Sequence, residues 1–126
     1  MKSITKFVGL DVSKDTISVA VADAGRTPAR SMGSIPNTPE AVRKLIRRLG
    51  KPEELLVCYE AGPTGYGLYR FVGQLQVTCI VVAPSLTPVR PGDQIKTDRR
   101  DALRLAQLLR AGELTPVWVP DEEHEA

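Results

Sequence analysis

The sequence predicts an α/β fold: a mixed five-stranded sheet, antiparallel over its first three strands and flanked by helices. Three observations carry that expectation. Phe7–Val12 and Thr16–Ala22 are apolar runs three residues apart, and the second alternates, with Ile17, Val19 and Val21 on one face. Glu54–Tyr59 and Gln76–Val82 read as buried strands separated by a helical segment, the pattern of a crossover between parallel strands. Finally, Val42, Leu45, Ile46 and Leu49, and later Ala102, Leu105, Ala106 and Leu109, recur at the spacing of helices that lay one face on a sheet.

Phe7–Val12 is a strand with an acid, Asp11, near its end, and Ser13-Lys14-Asp15 is short enough to turn it into a hairpin with the second strand. A third strand is expected near Arg30–Ile35, after the Asp23-Ala24-Gly25 turn. Thr38 can cap the next helix, Pro39 suits its first position, Glu40 favours the positive end of its dipole, and Gly50 ends it. Its Arg43, Lys44, Arg47 and Arg48 read as a solvated face. The fourth strand ends at Glu60. The Gly-rich loop from Ala61 to Gly65 leads to a helix over Tyr66–Leu75 and a fifth strand over Gln76–Val82. That loop lacks the Gly-Lys-Ser/Thr ending of a phosphate loop, and reads as a tight turn that lets the backbone pass close to the acids. A Pro-rich loop runs from Pro84 to Lys96, and Thr97 or Asp98 caps a third helix with Gly112 near its end. Trp118, in the extended segment Pro116–Pro120, reads as a packing residue.

With 126 residues the chain is long enough for one compact domain with its own core. Its net charge of +2 does not by itself announce a nucleic-acid protein, but Arg90, Lys96, Arg99, Arg100, Arg104 and Arg110 lie in one stretch. Cys58 and Cys79 read as buried reduced thiols, with a disulfide open to them if their strands pair, and two cysteines with one histidine make no zinc site. No apolar run reaches the ~18 residues of a membrane helix and no signal peptide is evident, so a cytoplasmic protein without a membrane partner is expected. The acidic stretch Asp121–Glu125 reads as the start of a linker or helix leading to a further domain, with residues 1–120 forming the domain at hand.

The acids carry the chemistry. Parallel pairing of the first and fourth strands would put Asp11 and Glu60 at one sheet edge, and Asp98 and Asp101, three apart, share a face of the third helix. Gathered carboxylates repel one another and call for a cation. Mg²⁺ or Mn²⁺ would take these oxygen ligands and keep positions for water and phosphate. Each acid has a plainer reading: Asp11 as a hairpin turn residue, Glu60 as a surface residue at a strand end, Asp98 and Asp101 as a capping pair.

Gly9-Leu10-Asp11-Val12-Ser13-Lys14, Glu60-Ala61-Gly62-Pro63-Thr64-Gly65 and Lys96-Thr97-Asp98-Arg99-Arg100-Asp101-Ala102 together resemble the N-terminal domain of insertion sequence 110 family transposases, the DEDD transposases, which include the Piv-type recombinases. The resemblance runs from Phe7 to about Pro120. It implies an RNase H-like fold similar to RuvC, and the acidic signature Asp11, Glu60, Asp98 and Asp101 as the catalytic and metal-binding set. It further implies Mg²⁺ (or Mn²⁺)-dependent DNA strand cleavage and exchange, a guide RNA called a bridge RNA, and a C-terminal transposase domain that supplies a serine nucleophile. On this reading Lys14, Arg90, Lys96, Thr97, Arg99, Arg100 and Arg104 are the candidates for nucleic-acid contact, the protein works as a homo-oligomer, and residues 1–126 alone do not complete transposition. Two other readings remain at this point. The first motif also resembles the first phosphate motif of actin-like ATPases and sugar kinases, although Val12 and Lys14 fit close phosphate approach poorly. A noncatalytic nucleic-acid-binding scaffold would use the Arg90–Arg104 stretch alone.

Overall fold

A computed structural model describes residues 3–62, 65–83 and 98–119, with the backbone alone for residues 98–100. Five strands, β1 (Lys6–Val12), β2 (Thr16–Asp23), β3 (Arg30–Pro36), β4 (Leu55–Glu60) and β5 (Thr78–Val82), form one sheet in the order β3-β2-β1-β4-β5. β1 pairs antiparallel with β2, and β2 with β3, while β1–β4 and β4–β5 are parallel. The expected mixed sheet is therefore present. Helices α1 (Pro39–Leu49), α2 (Gly67–Gln74) and α3 (Asp98–Ala111) flank it. A short 3-10 turn at Pro52–Glu54, which the sequence pattern did not signal, feeds β4.

Period-two alternation sorts the strand residues onto two faces. Val8 and Leu10 of β1, Ile17, Val19 and Val21 of β2, Val57 and Tyr59 of β4, and Cys79 and Val81 of β5 form the main core with Val42, Leu45, Ile46 and Leu49 of α1 and Val72 of α2. Burying each such aliphatic side chain stabilises the fold by roughly 1.5–3 kcal/mol. Thr38 caps α1 as expected, its hydroxyl accepting from the Ala41 amide at 3.2 Å, and Gly50 ends it at φ 133°. The four basic residues of α1 are exposed, and the Arg43 guanidinium sits 5.6 Å over the ring of Phe71, tying α1 to α2. The opposite sheet face belongs to α3. Ala20 and Ala22 meet Ala102 and Ala106 there, while Cys58 and Val82 meet Leu105 and Leu109.

That division settles the cysteines. Cys58 packs under α3 and Cys79 faces the main core, so the two free thiols lie on opposite sides of the sheet and cannot be bridged, even though their strands are paired. Burial pushes each thiol up to about 12, which keeps both protonated at neutral pH. Trp118, read as a packing residue, does not pack against the described residues of its own chain. It is 77% exposed, because in an extended segment Val117 and Val119 turn inward onto the core and the residue between them turns out. Among the described residues no helix is long and apolar enough to cross a membrane.

At the edge where β1 begins, Asp23 accepts from Lys6 Nζ at 3.1 Å and pairs with Arg30, while Arg110 near the end of α3 donates to the carbonyls of Asp23 (2.9 Å) and Thr27. The guanidinium of Arg30, and next the ammonium of Lys6, hold the Asp23 carboxyl below its ordinary value of 3.8. A depressed carboxyl stabilises the fold above its unfolded pKa and loses that contribution as pH falls through the folded value. The Tm gap between wild type and Asp23→Asn, measured by circular dichroism, is therefore expected at about pH 6 and should close below about pH 3. A gap that persists at the acid end would remove Asp23 from the acid response.

Candidate active site at one edge of the sheet

The β1–β4 register runs from Lys6 opposite Leu55 to Leu10 opposite Tyr59. One further step sets Asp11 beside Glu60. Asp11 shares its face with Phe7 and Gly9, and Glu60 shares its face with Leu56 and Cys58, which is the face covered by α3. The two carboxylates thus stand on the same side of neighbouring parallel strands, at their carboxyl ends, Asp11 half-buried and Glu60 exposed.

The direction of α3 decides where its acids go. Its last turn reaches the Asp23 carbonyl, at the start of β1, and its middle lies on Gly9, where Ala102, Leu105 and Ala106 make the contact. α3 therefore runs antiparallel to β1, and its first turn arrives at the edge that carries Asp11 and Glu60. Asp101 precedes Leu105 by one turn, ~6 Å along the helix, and Asp11 lies two residues past Gly9, ~6.6 Å along the strand. Asp101 and Asp11 consequently reach the same level. Asp101 is half-buried. Asp98 opens the helix, and its side chain lies outside the described residues.

Among the described residues no three His, Cys, Asp or Glu side chains form a group able to hold a metal ion. The arrangement still suits a hard divalent cation. Every candidate ligand is a carboxylate, and Mg²⁺ usually takes one or two of these, filling its octahedron with water and phosphate rather than a closed protein cage. Lys14 is exposed in the β1–β2 connection just beyond Asp11, on a turn held by Asn37, whose Nδ2 donates to the carbonyls of Ser13 (2.8 Å) and Lys14 (3.4 Å). Arg104 is exposed on α3. Arg90, Lys96 and Thr97, the side chains of Arg99 and Arg100, the loop from Pro84 and the tail from Asp121 all lie outside the described residues.

Three features of this edge escaped the sequence reading. Ser18, directly opposite Asp11 in the β1–β2 register, is buried and shares a 3.2 Å hydrogen bond with Ser34, so a polar row crosses from Glu60 through Asp11 to β3. Period-two spacing from Ile17 would have found Ser18 on this face, but Ser34 needed the register. A close backbone approach occurs at Gly9, where the sequence pattern showed no sign of one. A Cβ at Gly62 or Gly67 would meet nothing within 4 Å. Tyr59, finally, holds the loop after Glu60. Its hydroxyl, pushed up to about 12 chiefly by burial, donates to the Gly65 carbonyl at 3.3 Å and accepts from the Tyr69 amide at 3.2 Å. Tyr59→Phe is expected to cost ~1–2 kcal/mol in urea unfolding and to speed amide exchange at Tyr69. Unchanged exchange there would show that the hydroxyl does not hold the loop.

The whole arrangement matches a known family. Residues 8–126 fit the family of DEDD transposases of the insertion sequence 110 type, described as transposases. The chain belongs to this family. Over 122 residues it is 56% identical to y4qE of Sinorhizobium fredii (strain NBRC 101917 / NGR234), named as a transposase, covering 95% of this chain and 31% of that protein. It is 39% identical over 122 residues to the transposase for insertion sequence element IS1533 of Leptospira borgpetersenii, covering 95% of this chain and 35% of that protein. The chain thus spans about a third of the length of these relatives. Its fold is similar to that of Thermus thermophilus RuvC, with a TM-score of 0.56 at 13% identity, covering 89% of this chain and 99% of that one. This DEDD-family chain is therefore RuvC-like, an RNase H-like fold, as its motifs imply.

Proposed function

We propose that residues 1–120 are the catalytic domain of a DNA transposase that cuts and exchanges DNA strands, with Mg²⁺ or Mn²⁺ held by Asp11, Glu60, Asp98 and Asp101. The observation that carries this reading is the placement of Asp11 and Glu60 on one face, at the ends of neighbouring parallel strands, with the first turn of α3 arriving at the same edge. Membership of a transposase family supports it and favours it over an actin-like or sugar-kinase-type fragment. A divalent ion held here would lower the pKa of an attacking water or hydroxyl and stabilise a leaving oxygen. The chain's own share is to present the carboxylates, with Lys14 beside Asp11 and with Arg90, Lys96, Thr97, Arg99, Arg100 and Arg104 proposed as the groups that take backbone phosphates. Beyond residue 120 the proposal includes a C-terminal transposase domain, joined through residues 121–126, that contributes a serine. It also includes a guide RNA that selects the DNA and an assembly of more than one copy.

Calorimetric titration of Mn²⁺ into this chain tests the metal centre. Wild type should bind, and Asp11→Asn should bind at least ~10-fold more weakly, the order seen when groups that support a metal site are removed. Equal binding by the two chains would sink the reading.

A further inference from the structure

Gly9 lies in the middle of the central strand, where glycine weakens a sheet relative to a residue with a side chain. Its backbone does not require glycine, since it is absent from the glycines with positive φ. What glycine supplies here is room. A Cβ at this position would stand 2.5 Å from the Ala102 carbonyl oxygen, 2.6 Å from the Ala106 nitrogen and 2.9 Å from Leu105 Cβ. The first two are backbone atoms of α3, so no rotamer change relieves the contact, and the helix itself must recede. Reaching ordinary contact at 3.4 Å from the nearest atom means a retreat of about 0.9 Å. The neighbouring positions are small as well. Ala20, paired with Gly9, and Ala22 are fully buried against Ala102 and Ala106.

We propose that Gly9 is a positioning residue: by leaving no side chain beneath α3, it sets the height at which that helix brings Asp101 to the edge carrying Asp11 and Glu60. Such closeness matters to the acids, because displacements near 1 Å in a reacting constellation cost ~10²-fold in rate. The consequence for metal rests on the metal-centre reading above, whereas the height of the helix has a readout of its own. Cys58 Sγ lies 3.9 Å from the Leu105 carbonyl under α3, and Cys79 lies on the other face.

The test measures dithionitrobenzoate labelling of each thiol and Mn²⁺ affinity by calorimetry, both well below Tm, in wild type, Gly9→Ala, Ala20→Val and Val72→Ala. Ala20→Val thickens the same seat through a side chain and decides the matter if Gly9→Ala does not fold. Val72→Ala loosens the main core on the far face. In the two seat variants, Cys58 labelling is expected to rise at least 10-fold over Cys79, and Mn²⁺ affinity to fall at least 10-fold. Val72→Ala, which shares its core with Cys79 and not with Cys58, should change neither the Cys58 labelling rate nor the affinity. Unchanged Cys58 labelling in the seat variants overturns the proposal. So does faster labelling with unchanged Mn²⁺ affinity, or an equal loss of affinity in Val72→Ala. If wild type binds no Mn²⁺, the metal-centre reading fails, and the seat is judged on Cys58 alone.

Discussion

Glu60→Gln and Asp11→Asn, introduced singly into a full-length protein carrying this chain, are each expected to slow DNA strand cleavage by ~10²-fold or more under single-turnover conditions with Mg²⁺. Each replacement keeps the shape of the side chain and removes its charge. An amide oxygen is a weaker ligand for a hard cation than a carboxylate, and the loss falls on the developing charge at phosphorus, where electrostatic stabilisation is worth most. Glu60 makes the cleaner experiment because it is exposed, and exposed substitutions usually change stability by no more than ~0.5 kcal/mol. Cleavage within about threefold of wild type for Glu60→Gln, with DNA binding intact, would take Glu60 out of the catalytic set.

Leu10→Ala carries the largest expected loss of stability. Leu10 is 2% exposed in the central strand, flanked in register by Val19 and Tyr59, and it faces the core beneath α1 and α2. Truncation leaves a cavity that its paired neighbours cannot readily fill, which costs ~3 kcal/mol, within the roughly 2–5 kcal/mol range for such changes. For a chain of this size that corresponds to a fall of about 10 °C in Tm. Urea unfolding that gives less than about 1 kcal/mol would mean that this core collapses around the deletion, contrary to the packing around Leu10. Because Leu10 and Gly9 point to opposite faces, the two substitutions separate a loss of core from a loss of helix seating.

Much of the architecture was legible because it is written in short-range patterns. Ile17, Val19 and Val21 announce their face by alternation, Thr38, Pro39 and Gly50 bracket α1 by local chemistry, and the Leu55–Tyr59 run betrays a strand covered on both sides. The edge was only half legible. The order of acids and strands gave Asp11 and Glu60 a common end, whereas the tie between Ser18 and Ser34 depends on a register that shifts at a bulge between Val19 and Ala20. The role of Gly9 was missed for a similar reason. Gly9 is concealed in an ordinary apolar strand, yet it meets the backbone of a helix more than ninety residues later in the chain. Trp118 read as a packing residue, and its exposure follows from the extended geometry that turns its two valine neighbours inward.

The late position of α3 has a consequence for biosynthesis. The five strands of the described residues all precede residue 98, so a ribosome has delivered them before the helix that seats on Gly9 can form. The contacts that hold it, from Arg110 back to Asp23 and from Leu105 back to Cys58, span 87 and 47 residues and belong to the slow, non-local end of folding. A nascent chain that has not yet released Ala111 thus carries Asp11 and Glu60 without Asp101 in place beside them. On the metal-centre reading, a polypeptide still tethered to its message at Ala111 holds its acidic edge unfinished, with the share of Asp101 supplied only when α3 seats.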